Sequence, residues 1–437
     1  MAQLYQPTLA TLDNGVSLLN APSASRNVGV FLILRAGSRD ETPETSGLAH
    51  YLEHMFFKGT ERRPTTKIIS REIDRVGAST NAYTDTEEVA YFAEGPATAM
   101  HQLTDIITDM LSHPLFAPEE VERERNVVLQ ELAMRLADPD GWIWDRLGTV
   151  AFGGGQPMSW SAAGFPAVIQ RATREQLVDY HSAFYAPRSM CLVVAGGGSL
   201  THEEASALLA DIPRAKPRPR IPAKWGQGDR YTANVRPPTS DEEPQVRMVF
   251  AVPGIPARDE RRTALSVMSH VLGGGMSSRL FQTVRERNGL CYSIYSHHEG
   301  FDDAGLFAIS TATRPKDARR ATQLAFKEFR KLAAKRVAAD ELAAAKSAMI
   351  GRLLRSTETA MASARFYGGR WRVGLPLETP DDRANAIAAV KVDEVQTMAE
   401  TIAAGIDDVR LAFVGPTDQS DELLSATHAD GRTGKPH

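Results

Sequence analysis

Cysteine is scarce in this chain of 437 residues, which has two, Cys191 and Cys291. They lie far apart in the sequence and outside any CxxC pair. The sequence therefore predicts neither a thiolate metal site nor a disulfide framework. We expect both side chains to be packed as free thiols, since free cysteine is among the most buried residue types.

The sequence also lacks long apolar runs and long runs of one charge sign. No stretch reaches the roughly 18 apolar residues that a membrane helix needs. The 50 basic and 54 acidic residues are interspersed and give a net charge of -4, so neither nucleic acid nor an anionic membrane is an expected partner. The N-terminal segment has no basic or apolar part of an export signal, which predicts a soluble protein. A cleaved signal would leave the same sequence, so cytoplasm and periplasm both stay open.

The length predicts two domains of about 200 residues each, and a weak internal repeat supports that division. Displaced by 217 residues, FLILRAG (31–37) falls on MVFAVPG (248–254). Displaced by 221, the helical pattern of 115–134 falls on that of 336–355. Two similar α/β units in tandem explain both matches.

The pattern of predicted elements indicates an α+β fold. Amphipathic helical stretches such as 118–137 alternate with β-rich runs, and 79–95 has the pattern of a hairpin. We expect each domain to be a largely antiparallel sheet packed with helices. Proline and charge are dense in 213–244, which predicts an exposed connector and domains at 1–225 and 226–437.

Two histidines and a glutamate stand at helical spacing in SGLAHYLEHMFFKGT (46–60). Ser46 is a suitable N-cap for a helix over this segment. Positions i and i+4 project from one face, which lets the His50 and His54 imidazoles bind one ion while Glu53 points just to the side. An HxxEH pattern also arises by chance in about one such chain in a hundred, so two unrelated histidines stay the alternative.

A third ligand is available in the helical pattern EEVERERNVVLQELAM. Glu124 and Glu131 are seven residues apart, which is about two helical turns, so their carboxylates face the same way. One carboxylate and two imidazoles make up the ligand set of a catalytic zinc and leave a position for water. Taken alone, the two acids also fit the solvated face of an acid-rich helix.

Together these motifs resemble those of the M16 metallopeptidases, which include mitochondrial processing peptidase, insulin-degrading enzyme and pitrilysin. Members carry HxxEH and a distal glutamate after about 76 residues, and 76 residues separate His54 from Glu131 here. The resemblance implies that His50, His54 and Glu131 bind Zn²⁺. It makes Glu53 the general base on the zinc-bound water and Glu124 a carboxylate that orients a ligand.

The resemblance extends to two further segments. NAYT corresponds to an edge strand that pairs with the substrate backbone, which implies substrate contacts at Asn81 and Ala82. LFQTVRERNGLCYSIY is similar to a segment with an arginine and a tyrosine seven residues apart. By this resemblance Arg285 and Tyr292 grip the scissile carbonyl and stabilise the tetrahedral oxyanion. Without it, Arg285 fits a surface helix residue and Tyr292 a packed strand residue.

The repeat predicts one zinc per chain. Under the displacement of 217, the three motif positions hold Val267, His270 and Val271. Under the displacement of 221, the two acidic positions hold Ala345 and Arg352. The second half has therefore lost a metal site that the first half retains.

The resemblance implies a zinc metalloendopeptidase that hydrolyses short, unstructured peptides in a dimeric chamber, because an edge strand pairs only with exposed backbone. The chain holds both half-sites, which favours a homodimer, and a heterodimer with a related subunit stays open. The alternative is a peptide-binding or assembly subunit without catalysis, although such relatives usually lack a ligand or the base. A zinc hydrolase acting on another class of substrate is a third hypothesis. The native metal and the cleavage preference stay open.

Overall fold

The computed structural model describes residues 6–212, 220–236 and 244–428. Their contacts separate two compact units. The first unit takes the described residues within Met1–Met134, Trp160–Ile221 and Leu354–Asp381, and the second those within Arg135–Ser159, Pro222–Leu353 and Asp382–His437. Each unit draws on segments from both sides of residue 225. The division into domains 1–225 and 226–437 stays a prediction.

The described residues form strands and helices in alternating groups. The strands are β1 Thr8–Thr11, β2 Ser17–Pro22, β3 Asn27–Leu34, β4 Ser79–Thr84, β5 Val89–Pro96, β6 Met190–Gly196, β7 Tyr231–Val235, β8 Val246–Pro253, β9 Cys291–Gly300, β10 Gly305–Thr313 and β11 Arg410–Gly415. The α-helices are α1 Leu48–Phe56, α2 Thr66–Arg75, α3 Met100–Ser112, α4 Pro118–Ala137, α5 Pro139–Phe152, α6 Pro166–Ile169, α7 Arg174–Phe184, α8 His202–Leu208, α9 Arg262–Gly273, α10 Ala318–Ala334, α11 Ala339–Arg355, α12 Ala360–Val373, α13 Pro380–Ala389, α14 Val392–Ala403 and α15 Ser420–Ala426.

The sheet of the first unit has the strand order β1-β2-β6-β3-β5-β4. The pair β2 and β6 is parallel, and the other four pairs are antiparallel. Strand β3 lies inside the sheet and is apolar on both faces, because helices cover both. Val30 and Leu32 face the core that α1, α3 and α7 share, whereas Phe31 and Ile33 face α12.

The sheet of the second unit has the order β7-β11-β8-β10-β9, with β7 and β11 parallel and the other pairs antiparallel. The first sheet without β1 has the same order, and β2, β6, β3, β5 and β4 correspond to β7, β11, β8, β10 and β9. Met248 and Phe250 of β8 face α9, α10 and α14, and Val249 and Ala251 face α5. Two similar α+β units with largely antiparallel sheets confirm the predicted fold class and explain the internal repeat.

Part of the predicted connector 213–244 is a strand. Tyr231–Val235 forms β7 and pairs with β11 from Leu411 to Gly415. Its alternation accounts for this, because Tyr231 and Ala233 pack against the core of the second unit. The prediction of an exposed connector is wrong there, because β7 is part of the sheet, and 213–219 and 237–243 lie outside the described residues.

Two predictions from composition can be compared with the described residues. Cys191 and Cys291 are free thiols, and both are buried as expected. Within 6–212, 220–236 and 244–428, no helix combines the length and the apolar composition needed to cross a bilayer.

His181 is a buried histidine that joins α7 to the core of the first unit. Its ring packs against Phe56, Phe116 and Tyr185, with centroids 5.1 to 5.9 Å away. Its Nε2–H donates to the Leu111 carbonyl at 2.9 Å. Burial lowers the pKa of His181 to about 4, because the apolar surroundings disfavour the charged ring.

This buried histidine predicts acid sensitivity. In the unfolded chain His181 binds a proton near pH 6.5, whereas the folded chain does so only near pH 4, so stability falls as pH drops through that window. At pH 4.5 this histidine lowers the free energy of unfolding by on the order of 2 to 3 kcal/mol relative to pH 7. We expect His181→Gln to show a correspondingly smaller loss in urea unfolding at the two pH values. His101→Gln, at an exposed position, should keep the wild-type loss. An unchanged pH dependence in His181→Gln would contradict this assignment.

Candidate metal centre

Helix α1 carries the HxxEH motif, as predicted. Leu48, Leu52 and Met55 are fully buried and anchor the helix in the core of the first unit. The face that remains carries His50 and His54, one helical turn apart, with ring centroids 4.8 Å from each other. The two imidazoles therefore converge on one point at the surface of the core.

The start of α1 differs from the prediction, because Ser46 is not its N-cap. Gly47 occupies that position with φ 99°, a left-handed conformation that favours glycine. The carboxylate of Glu41 supplies the missing cap: its oxygens accept hydrogen bonds from the backbone N–H of Gly47 at 2.8 Å and of Ala49 at 2.9 Å. Burial raises the pKa of Glu41 to about 8, although the two N–H donors oppose the rise. A carboxylate from outside the helix thus holds the N-terminus of α1.

Helix α4 presents the two acidic residues as predicted. Val128 and Leu132 are buried in the core and fix the orientation of the helix. In this orientation Glu124 is buried, whereas the Glu131 side chain is half exposed. The hydroxyl of Tyr51 in α1 donates to a backbone carbonyl in the first turn of α4, which ties the two helices together. Both carboxylates therefore lie beside the histidine face of α1.

The predicted ligands come together in the first unit. The Nε2 atoms of His50 and His54 are 3.3 Å apart. The two oxygens of Glu131 lie 3.5 Å from Nε2 of His50 and 3.3 Å from Nε2 of His54. With one ligand atom taken from each residue, all three lie within 4.8 Å of one another. Among the described residues, this is the set of His, Cys, Asp and Glu side chains that could hold a metal ion.

These distances fit a zinc ion. Zinc binds histidine nitrogen at about 2.0 to 2.1 Å in tetrahedral geometry, so two of its ligand atoms lie about 3.3 Å apart. The two Nε2 atoms of His50 and His54 meet that spacing. Three protein ligands with a half-exposed carboxylate leave a side of the site open, which is the pattern of catalytic rather than structural zinc.

A hydrogen-bond chain orients one of the two imidazoles. Nδ1 of His54 lies 2.8 Å from a Glu124 oxygen, so its N–H donates to that carboxylate and Nε2 faces the metal position. Lys58 contacts the other Glu124 oxygen at 2.5 Å. Burial works against charge on both partners, but these contacts hold the pKa of Glu124 below its usual value and raise that of His54. Nδ1 of His50 is buried without a hydrogen-bond partner among the described residues.

The structure adds Lys58 and Thr84, which the motifs did not single out. Thr84 closes the NAYT segment, and its hydroxyl donates to an oxygen of Glu53 at 2.6 Å. In the same segment, the resemblance had implied substrate contacts at Asn81 and Ala82, which belong to β4 at the edge of the described sheet. Lys58 lies just after the end of α1, and no motif pointed to its contact with Glu124. No local pattern pointed to the contact between Thr84 and Glu53.

The first unit places Asn81 and Ala82 on an open strand edge, as expected. Asn81 is exposed, and its side-chain oxygen accepts a hydrogen bond from the Ala82 N–H at 2.8 Å. Strand β4 pairs with β5 on its other side, with Ala82 opposite Tyr91. An edge strand offers unpaired backbone groups to another extended chain.

The second unit brings Arg285 and Tyr292 together. Arg285 lies on a π-helical turn, Phe281–Glu286, and its guanidinium is 5.0 Å from the centre of the Tyr292 ring. Tyr292 begins the exposed side of β9 and is 81% exposed, so it is not a packed strand residue. The pair presents a cation and a phenol side by side at the surface of its own unit.

The counterpart positions in the second unit carry no metal ligands. Val267 and Val271 are buried in the core of that unit, where the first unit has its two histidines. Burial lowers the pKa of His270, which stands at the position of Glu53. One zinc per chain stays a prediction.

Comparison with known proteins identifies two parts of one family. Residues 16–156 match the family model described as "Insulinase (Peptidase family M16)". Residues 171–349 match the one described as "Peptidase M16 inactive domain". The first match contains the candidate metal ligands His50, His54 and Glu131, and the second contains Arg285 and Tyr292.

Similar chains and structures agree with these matches. An uncharacterized zinc protease of Streptomyces coelicolor is 32% identical over 90% of this chain and 86% of its own length. The uncharacterized zinc protease YmxG of Bacillus subtilis is 29% identical over 93% and 98%. A peptidase M16 inactive domain structure from Pseudomonas fluorescens has a TM-score of 0.82 at 20% identity, covering 95% of this chain and 99% of that one. A protease from Helicobacter pylori has a TM-score of 0.81 at 21% identity, covering 94% and 100%. The fold, the two family matches and these relatives together show that the chain belongs to peptidase family M16.

Proposed function

We propose that this chain is a zinc metalloendopeptidase that hydrolyses short, unstructured peptides. The observation that carries the proposal is the convergence of His50, His54 and Glu131 at zinc spacing, with the carboxylate of Glu53 on the same helix beside them. The names of the related zinc proteases support it. A structural metal would need no base at its side.

The ligand set would be His50, His54 and Glu131, with one Zn²⁺ per chain. A bound zinc supplies a Lewis acid that polarises a carbonyl and lowers the pKa of water toward neutrality. Glu53 would accept the proton of the attacking water and pass it to the leaving amine. Glu124 keeps the His54 ring turned with Nε2 toward the metal position.

Arg285 and Tyr292 would contribute the electrophilic groups of the reaction. We propose that Arg285 grips the scissile carbonyl and that Tyr292 donates to the developing oxyanion. A guanidinium and a phenol are both hydrogen-bond donors, and the contact between them keeps the two side chains together. This role carries over from the family resemblance to these two positions.

Substrate would bind as an added strand. The open edge of β4 offers backbone donors and acceptors to an extended peptide, and Asn81 and Ala82 lie on it. The Ala82 N–H donates a hydrogen bond to the Asn81 side chain. A peptide that accepts from this N–H must therefore displace the side-chain amide of Asn81. An unstructured peptide can extend its backbone along this edge, which favours such peptides as substrates.

We propose that the chain works as a dimer that encloses the peptide. Each chain holds a metal site and an Arg285–Tyr292 pair, so two copies of one chain suffice for complete active sites. A heterodimer with a related subunit is the alternative arrangement. A non-catalytic peptide-binding subunit is disfavoured, because all three ligands and the base are present.

A peptide assay tests the function as a whole. We expect purified protein to contain about one zinc per chain, to cleave a mixture of fluorogenic unstructured peptides, and to lose activity with chelator and regain it with zinc. Cleavage that survives complete metal removal, or no cleavage by zinc-loaded protein, would contradict the proposal. Hydrolysis of other substrate classes with no peptide cleavage would favour a different zinc hydrolase.

Substitutions of the base and of a ligand should separate chemistry from metal binding. Glu53→Gln keeps the size of the side chain but removes the proton acceptor, so we expect zinc content to stay near one per chain while peptidase activity is lost. His50→Ala should lose both. Metal analysis together with the peptide assay measures the two effects. Substantial activity in Glu53→Gln would rule out Glu53 as the base.

The carboxylate behind His54 should affect metal affinity. We expect Glu124→Ala to weaken zinc binding by about 10- to 100-fold, because the imidazole loses the partner that sets its orientation. Glu122→Ala, at an exposed position two residues earlier on the same helix, is the matched control and should bind zinc like the wild type. Titration against a competing chelator measures both. Equal affinities in the two variants would contradict the role of Glu124.

Mixing two inactive variants tests the dimer. If sites are shared between chains, combining Glu53→Gln with Tyr292→Phe chains should restore part of the activity, because some sites then contain an intact Glu53 and an intact Tyr292. If each site is built within one chain, mixing restores nothing. The comparison requires subunit exchange, which size-exclusion chromatography of differently tagged chains verifies.

A further inference from the structure

The end of the edge strand contacts the proposed base directly. Strand β4 ends at Thr84, whose hydroxyl donates to Oε2 of Glu53 at 2.6 Å. This is a short hydrogen bond to a carboxylate, the kind that holds a side chain more firmly than a neutral pair does. Both residues are partly buried, so solvent competes for the bond only in part.

Strand alternation explains why Thr84 rather than its neighbours reaches α1. Ala82 packs against the core that contains α1, whereas Tyr83 lies on the opposite face among Phe31 and Phe92. Side chains two apart share a face, so Thr84 points to the side of Ala82 and of α1.

The backbone at Thr84 is held in place on both sides. Thr84 pairs with Val89 across the hairpin, and the N–H of Asp85 donates to the Glu88 carbonyl at 2.8 Å in the turn that follows. Threonine is branched at Cβ, which restricts its χ1 angle and leaves the hydroxyl few directions. The donor to Glu53 therefore comes from a fixed point of the sheet.

We infer that Thr84 is a positioning residue that holds the Glu53 carboxylate in the orientation needed for proton transfer. A glutamate side chain has several rotatable bonds, and a bond to Oε2 selects among its rotamers while leaving Oε1 to accept a proton from water. The inference rests on the proposed function, in which Glu53 is the base. It also connects substrate binding with the base, because Thr84 lies two residues from Ala82 on the same strand.

Two substitutions at this position separate the hydroxyl from the shape of the side chain. Thr84→Val keeps the branched shape and removes the donor, and Thr84→Ser keeps the donor. We expect Thr84→Val to lower kcat by about 10- to 100-fold with KM changed less than about threefold. Thr84→Ser should recover most of the loss. Zinc content should stay at one per chain in both. If Thr84→Val does not fold, Thr84→Ala takes its place in the comparison.

Thr80→Val is the matched control on the same strand and face. The Thr80 hydroxyl donates to the Phe92 carbonyl at 2.9 Å, within the hairpin and not to the base. We expect this variant to keep the wild-type kcat. A similar loss of kcat in Thr80→Val, an unchanged kcat in Thr84→Val, or an effect on KM alone would overturn the inference.

A second measurement does not depend on activity. A double-mutant cycle with Thr84→Val and Glu53→Met in metal-free protein gives the coupling between the two side chains from urea unfolding. We expect the coupling to change the unfolding equilibrium constant by about tenfold, as for a hydrogen bond to a charged group. Additive effects would overturn the inference even if peptide cleavage is observed. Inactivity of the zinc-loaded wild type, with the coupling present, would instead contradict the proposed function.

Discussion

Two imidazole nitrogens 3.3 Å apart, with a carboxylate 3.3 to 3.5 Å from each, form the arrangement on which the candidate metal centre depends. Two Nε2 lone pairs at this distance repel each other unless a metal ion or a shared proton lies between them. The surrounding structure therefore has to impose the convergence. It does so through the burial of Leu48, Leu52 and Met55 in α1 and of Val128 and Leu132 in α4, which fixes the two helices against one core.

The charged groups around this point have separate tasks. Glu41 caps the start of α1, Glu124 turns the His54 ring, and Lys58 offsets the charge of Glu124. Buried carboxyl groups are costly unless their oxygens accept hydrogen bonds. Glu41 has two backbone N–H donors, and Glu124 has His54 and Lys58 as donors. Glu41, Glu124 and the Nδ1 atom of His54 thus have hydrogen-bond partners around the candidate metal position, whereas Nδ1 of His50 has none among the described residues.

The two units show how one topology supports different chemistry. Their sheets share a strand order, and α1 and α9 follow the corresponding central strands β3 and β8. In the first unit this helix carries His50 and His54, the candidate metal ligands, and in the second buried valines replace them. The second unit instead exposes Arg285 and Tyr292. Fold alone therefore does not specify the site, which depends on a few side chains placed on it.

The sequence by itself determined the features that depend on local spacing. His50 and His54 share a face because i and i+4 do so on any helix, and the matching apolar runs 31–37 and 248–254 predicted strands in two similar units. Helical spacing placed Glu124 and Glu131 on one face, and the resemblance to the M16 family then implied that Glu131 is the third ligand. Only the tertiary structure decided the contacts between residues far apart in sequence: Glu41 capping α1, β7 joining β11, and Thr84 donating to Glu53. Such contacts depend on how helices and strands pack, and a sequence pattern of a few residues has no information about which side chains that packing brings within hydrogen-bonding distance.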